Sequence, residues 1–175
     1  MAAATRVIVK QGLGAPTALI AREAGVANGS LFTYFETKAE LFNQLYLELK
    51  TQMASAALEG LPADAELRAQ FACVWSNWMR WAARNADERR ALSLLGVSDE
   101  LTPASRAAGH RAMAGLAELM ERSRANGPMR EAPLAFVAAI MNSVAEATMD
   151  FMAHDPAHAE SHCELGFDAL WRMVG

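Results

Sequence analysis

Apolar positions recur at intervals of three and four residues along most of this chain, the period of helices with one buried face. Leu41, Phe42, Leu45, Tyr46, Leu49 and Met53 line a broad face on one long helix predicted over 37–58, with Gly60 and Pro62 ending it. A second long helix is expected over 64–85, with Phe71, Val74, Trp75, Trp78 and Ala82 on one stripe and Cys73, Met79 and Trp81 beside it. A shorter helix, 87–95, shows Glu88, Arg89 and Arg90 to solvent. Residues 103–124 read as one helix seamed by Met113, Leu116, Ala117 and Met120, and Asn126-Gly127-Pro128 stops it. Two final helices, 132–153 and 157–174, are divided by His154-Asp155-Pro156. Their faces are too apolar and too rich in small residues for a pair with one solvated side. Two such hairpins meeting across a two-fold axis would bury them.

The front of the chain has a different rhythm. Residues 17–24 form a short amphipathic run with Pro16 at its start and Gly25 where it must end. Val26 is expected to plug the corner, and Ala21 and Ala24 to let crossing helices approach closely. Residues 28–35 then make a helix too short to stand alone, with Leu31 and Phe35 four apart as core anchors. Asn28, Gly29, Ser30 and Thr33 point away from that face. A brief helix braced on both sides, with a polar front, is the logic of a helix-turn-helix. Spacing alone fits an ordinary solvated helical corner equally well.

Ile20-Ala21-Arg22-Glu23-Ala24-Gly25-Val26, then Gly29-Ser30-Leu31-Phe32-Thr33-Tyr34-Phe35 and Lys38-Ala39-Glu40-Leu41, closely resembles the DNA-binding domain of the tetracycline-repressor (TetR) family. The resemblance covers residues 7–47 without gaps. It implies an all-α fold: a three-helix helix-turn-helix head, residues 1–47, joined by a long helix to a larger helical ligand-binding and dimerisation domain, residues 48–175. By position it assigns Asn28, Gly29, Ser30, Phe32 and Thr33 to the groove, and Tyr34 and Lys38 to phosphates. The sequence departs from the family in the neutral Asn28, which can pair bidentately with adenine, in Phe32, which lacks a tyrosine's hydroxyl, and in a short first helix. The resemblance further implies a homodimer on a near-palindromic double-stranded operator, released by a small-molecule effector. The alternative is a helical small-molecule-binding protein of the same fold that has weak or lost DNA binding.

Composition fits this picture and adds one tension. The chain of 175 residues is rich in alanine, leucine, methionine, glutamate and arginine. Its net charge is −4, which is unfavourable for meeting phosphates. Within residues 1–38, however, Arg6, Lys10, Arg22 and Lys38 outnumber Glu23 and Glu36, so the head is locally basic. Cys73 and Cys163 are far apart and form no Cys-x-x-Cys pair, which points to a reducing cytoplasm. No apolar run approaches the roughly 20 residues of a membrane span, and no signal-peptide pattern opens the chain. A cytoplasmic protein without membrane contact is expected.

Candidate ligand chemistry centres on the tryptophans. Trp75, Trp78 and Met79, with His110 and Met113, are expected to wall a cavity for a flat or greasy molecule. The same side chains serve equally well as a dense core. On the next-to-last helix, Asn142, Glu146 and Asp150 make one polar stripe. His158 and His162 lie one turn apart with Cys163 next to them, but Pro156 separates His154 from their face and nothing completes a ligand set. No metal and no cofactor is expected. Neither a nucleophile elbow, a phosphate-cradling glycine loop nor a paired-carboxylate motif occurs, so an enzyme is not expected.

Overall fold

The chain is all-α in a computed structural model that describes residues 1–175. Its helices are α1 (Ala2–Gln11), α2 (Thr17–Glu23), α3 (Asn28–Tyr34), α4 (Lys38–Leu58), α5 (Leu67–Arg84), α6 (Ala86–Gly96), α7 (Pro103–Ala112), α8 (Ala114–Arg124), α9 (Leu134–His154) and α10 (Ala159–Val174). Two compact units emerge, one of residues 1–52 with 85–113, the other of 53–84 with 114–175.

The first unit is built round the apolar face of α4. Leu41, Phe42, Leu45 and Leu49 are almost fully enclosed, together with Ile8 of α1, Ile20 and Ala21 of α2, and Leu31 of α3. Ala91 and Leu95 of α6 and Leu101 join the same core, and α6 packs directly on α1. Asn43 pins the loop ahead of α7. Its amide nitrogen donates to the carbonyls of Ala39 (2.6 Å) and Glu100 (2.8 Å), and its oxygen accepts from the Thr102 N–H (2.9 Å). Thr102 in turn caps α7 by accepting from the Ser105 N–H at 3.1 Å, with Pro103 in the first turn.

The second unit packs α5, α8, α9 and α10. Phe71, Trp75, Met79, Leu119, Met120, Val137, Ala145, Met149, Phe167, Leu170 and Val174 fill it. Gly166 allows α10 to cross closely. A Cβ there would collide with the Thr148 hydroxyl of α9 and reach 3.1 Å from the Trp75 ring. Arg124, itself nearly buried, closes the loop after α8. It forms two bonds of 2.9 Å to the Glu121 carboxylate and donates to the carbonyls of Met129, Arg130 and Ala132.

Several expectations need correction. The single helix expected over 103–124 is two, broken at Met113, which caps α7 in a bridge-region conformation. Glycines at 109 and 115 flank that break and weaken helix continuation on both sides. Val26 does not plug the corner; it is 44% exposed, and Ala24 is exposed too, leaving Ala21 as the small residue at the crossing. The final helix is preceded by a separate 3₁₀ turn, Pro156–His158, because Pro156 fixes its own φ and cannot donate to a ladder. Finally, α9 is long and apolar enough by length and composition to cross a membrane, which a search for unbroken apolar runs passes over because Asn142, Glu146 and Asp150 interrupt it.

Candidate nucleic-acid interface

The turn between α2 and α3 is set by backbone bonds. Gly25 has φ 71°, where a side chain would be strained, and the Val26 N–H closes on the Ala21 carbonyl at 3.0 Å. Leu31 then fastens α3 inward at 7% exposure, and Phe35 packs on the same cluster as the chain turns extended. After α3, the start of α4 is capped reciprocally. Thr37 accepts from the Glu40 N–H at 3.0 Å, while the Glu40 carboxylate accepts from the Glu36 N–H at 2.6 Å, close to a capping box. These bonds hold a seven-residue helix that could not persist alone.

With Leu31 turned inward, the rest of α3 faces out. Asn28, Gly29, Ser30, Phe32, Thr33 and Tyr34 are all exposed, Phe32 at 41% and Tyr34 at 76%. Exposed aromatics on a short helix with a polar front make a surface that can enter a groove. Nothing lies within 4 Å of where a Gly29 side chain would begin, so a backbone or base can come close there. Lys38 is half-buried, with its ammonium 5.3 Å above the Phe42 ring. Arg6 is engaged by Glu23 at 2.7 Å, and that hydrogen bond holds the Glu23 carboxyl below the usual carboxylate range. Arg22 and Lys10 remain exposed.

The expected ligand-wall residues divide between the units. Trp75, Trp78 and Met79 belong to the second, His110 and Met113 to the first. Trp75 is 2% exposed and its indole N–H donates to the Cys163 carbonyl at 2.9 Å; Met79 is 1% exposed. Trp78 is half-buried, edge-on to Trp75 with ring centroids 6.2 Å apart. His110 is exposed near the end of α7, and Met113 is half-buried.

At the α9–α10 turn, Asp155 gathers two histidines. His158 Nδ1 lies 3.0 Å and His162 Nε2 3.1 Å from the same carboxylate oxygen, whereas His154 turns to the Asp150 carbonyl. The two imidazole contacts hold the Asp155 carboxyl below its ordinary range. No group of three or more His, Cys, Asp or Glu side chains is set to hold a metal ion. Cys73 and Cys163 are both free thiols, and burial pushes that of Cys163 up.

Sequence reasoning missed Tyr46 and Lys50 of α4 as a polar pair inside an apolar face, and Arg124 as a loop anchor. For Lys50 a signal existed: it follows Tyr46 by four residues, on the side of the helix that the apolar stripe occupies.

Residues 1–45 match the profile of the bacterial regulatory proteins of the tetR family. Over the whole chain the fold is similar to that of a tetR-family transcription regulator from Shewanella sp. PV-4, at 27% identity and TM-score 0.87, covering 97% of this chain and 93% of that one. A TetR-family transcription regulator from Marinobacter aquaeolei VT8 is similar at 20% identity and TM-score 0.84, covering 97% and 90%. The transcriptional regulator FadR from Bacillus subtilis, solved in complex with stearoyl-CoA, is similar at 19% identity and TM-score 0.68, covering 95% of each chain.

Proposed function

We propose that this TetR-family protein is a ligand-responsive repressor that binds a near-palindromic operator as a homodimer. The carrying observation is α3: Leu31 anchors it while Asn28, Ser30, Phe32, Thr33 and Tyr34 stand in solvent on one short braced helix. Nothing in the fold of the first unit needs two exposed aromatics there. In the groove, Asn28, Ser30 and Thr33 offer hydrogen bonds to base edges, Phe32 packs on a thymine methyl, and Tyr34 and Lys38 take phosphates. One head carries little charge, so affinity depends on pairing two, with recognition helices about 34–36 Å apart on one face of the duplex.

The pairing surface is argued from α9 and α10, which pack on each other yet leave Phe136, Phe151 and Leu165 more than half exposed. Large apolar side chains exposed to that degree favour a second copy of the chain docking on these helices. A small hydrophobic or aromatic effector releases the operator. It can do so only by binding the DNA-incompetent state more tightly than the competent one. The half-buried Trp78, edge-on to Trp75, supports taking this indole as one contact of such a molecule. FadR, of the same fold, was solved with the long-chain acyl ligand stearoyl-CoA, which favours an effector with an apolar body.

The test is gel retardation of DNA taken from upstream of the protein's own coding region, at low salt, with dimerisation checked in the same preparation. Retardation that is lost in a Tyr34→Ala, Lys38→Ala double variant supports the reading. A folded dimer that retards nothing would instead leave a helical ligand-binding protein that does not act on DNA.

A further inference from the structure

Three residues, Phe35, Glu36 and Thr37, link α3 to α4. They separate Tyr34, which ends α3, from Lys38, which begins α4, the two side chains assigned to phosphates. Thr37 opens α4 by accepting from the Glu40 N–H at 3.0 Å. In an ordinary capping box the glutamate at that place would reach back to the N–H of the capping residue. Glu40 reaches one residue further, and its Oε2 accepts from the Glu36 N–H at 2.6 Å. Its Oε1 accepts from the Gln44 amide at 3.0 Å, one turn along α4, which fixes the plane of the carboxylate. Phe35 packs on the core, and its N–H closes on the Leu31 carbonyl at 3.1 Å. Each link residue is therefore held from a different side: Phe35 by the core, Glu36 by Glu40, and Thr37 by the first turn of α4.

Electrostatics alone argues against an acid here. Up to residue 40 the head carries Arg6, Lys10, Arg22 and Lys38 against Glu23, Glu36 and Glu40. Arg6 is already engaged by Glu23 at 2.7 Å. A carboxylate two positions along the helix from Lys38 repels the phosphate that the lysine attracts. Glutamine could offer an oxygen to the Glu36 N–H without that charge. What the carboxylate supplies in return is order. With Glu36 tethered, the separation of Tyr34 from Lys38 is set before DNA arrives, and binding does not bear the entropy of ordering the link.

We propose that Glu40 is a positioning residue of the DNA-binding surface, an acid that strengthens binding to an anion by holding the Glu36 amide and with it the spacing of Tyr34 and Lys38. The inference rests on the DNA-binding reading of α3 and adds to it a residue that does not itself meet the duplex.

The experiment titrates the upstream DNA fragment with full-length wild type, Glu40→Ala and Glu40→Gln at several salt concentrations, with circular dichroism to check folding. Loss of the cap should weaken Glu40→Ala about fivefold or more, although the variant has one negative charge fewer. Its salt slope should fall toward that of Lys38→Ala. Glu40→Gln keeps the bond to Glu36 and should bind at least as tightly as the wild type. In a Lys38→Ala background the cost of Glu40→Ala should shrink, because part of its effect runs through that lysine. Amide exchange on the free proteins should find the Glu36 N–H protected in the wild type and in Glu40→Gln, and unprotected in Glu40→Ala. A folded Glu40→Ala that binds as tightly as the wild type, or tighter, makes the carboxylate a source of repulsion only and overturns the inference. So does a Glu40→Gln as weak as Glu40→Ala, or a wild-type Glu36 amide that exchanges freely. Those last two measurements decide even if Glu40→Ala does not fold. A wild type that retards no fragment sinks the DNA-binding reading and this inference together; retardation by the wild type with an indifferent Glu40→Ala sinks the inference alone.

Discussion

The indole nitrogen of Trp75 donates to the carbonyl oxygen of Cys163 at 2.9 Å, a bond that joins α5 to α10 across 88 positions of sequence. The tryptophan is sealed in at 2% exposure, and Gly166, one turn beyond Cys163, permits the helix to lie against its ring. Trp75→Phe should therefore remove this link between α5 and α10 and leave a void beside it. The expected loss is about 2–4 kcal/mol in urea unfolding, with an unchanged slope. Trp78→Phe, at a half-buried ring with less to lose, should cost on the order of 1 kcal/mol.

Tyr34 is the converse case. With 76% of it exposed, Tyr34→Ala should melt like the wild type, within about 0.5 kcal/mol. Operator affinity should nevertheless fall about tenfold, the worth of one hydrogen bond to a charged phosphate. Lys38→Ala should weaken binding to all sequences alike and reduce the salt slope by about one unit. Titrations of labelled operator at several salt concentrations separate these effects.

Phe151 and Leu165 stand 63% and 64% exposed on α9 and α10. Replacing both by glutamate places charge on the surface proposed to pair two copies, while leaving each chain's own core untouched. Sedimentation should show the dimer weakened about thirtyfold or more, with the helical circular dichroism retained. A variant that stays dimeric at wild-type affinity would move the interface elsewhere.

Lys50 makes a pH prediction. Its amine sits below 10.5 in the folded chain because burial disfavours the charge. The unfolded chain then holds the extra proton more tightly, so stability rises with pH between the lowered value and 10.5 and is least below that window. Lys50→Met removes the penalty. The variant should melt above the wild type at neutral pH, and its advantage should shrink as pH climbs toward 10.5. Parallel thermal melts across that range check the sign.

The helical class, the brief α3 with Leu31 inward, and the start and end of α4 were all legible from residues 17–58. Each depends on neighbours within one or two turns, on glycine at a left-handed turn, and on apolar spacing. What sequence could not give was the partner of each apolar face. The helix expected over 87–95 gave no sign that Leu95 and Ala91 share a core with Ile8 and Leu31, far earlier in the chain. Likewise, Trp75 and Trp78 look alike in sequence, and only the approach of Cys163 and Gly166 fixes one as a buried pin and leaves the other partly open. Lys50 was passed over for the same reason: whether a lysine on an apolar face reaches water or is enclosed depends on α7 closing over Tyr46 through Gly109. Local spacing determines which face is buried, because it acts through bonds close in the chain; which face meets which is decided by packing among distant segments, and no short stretch of residues encodes that.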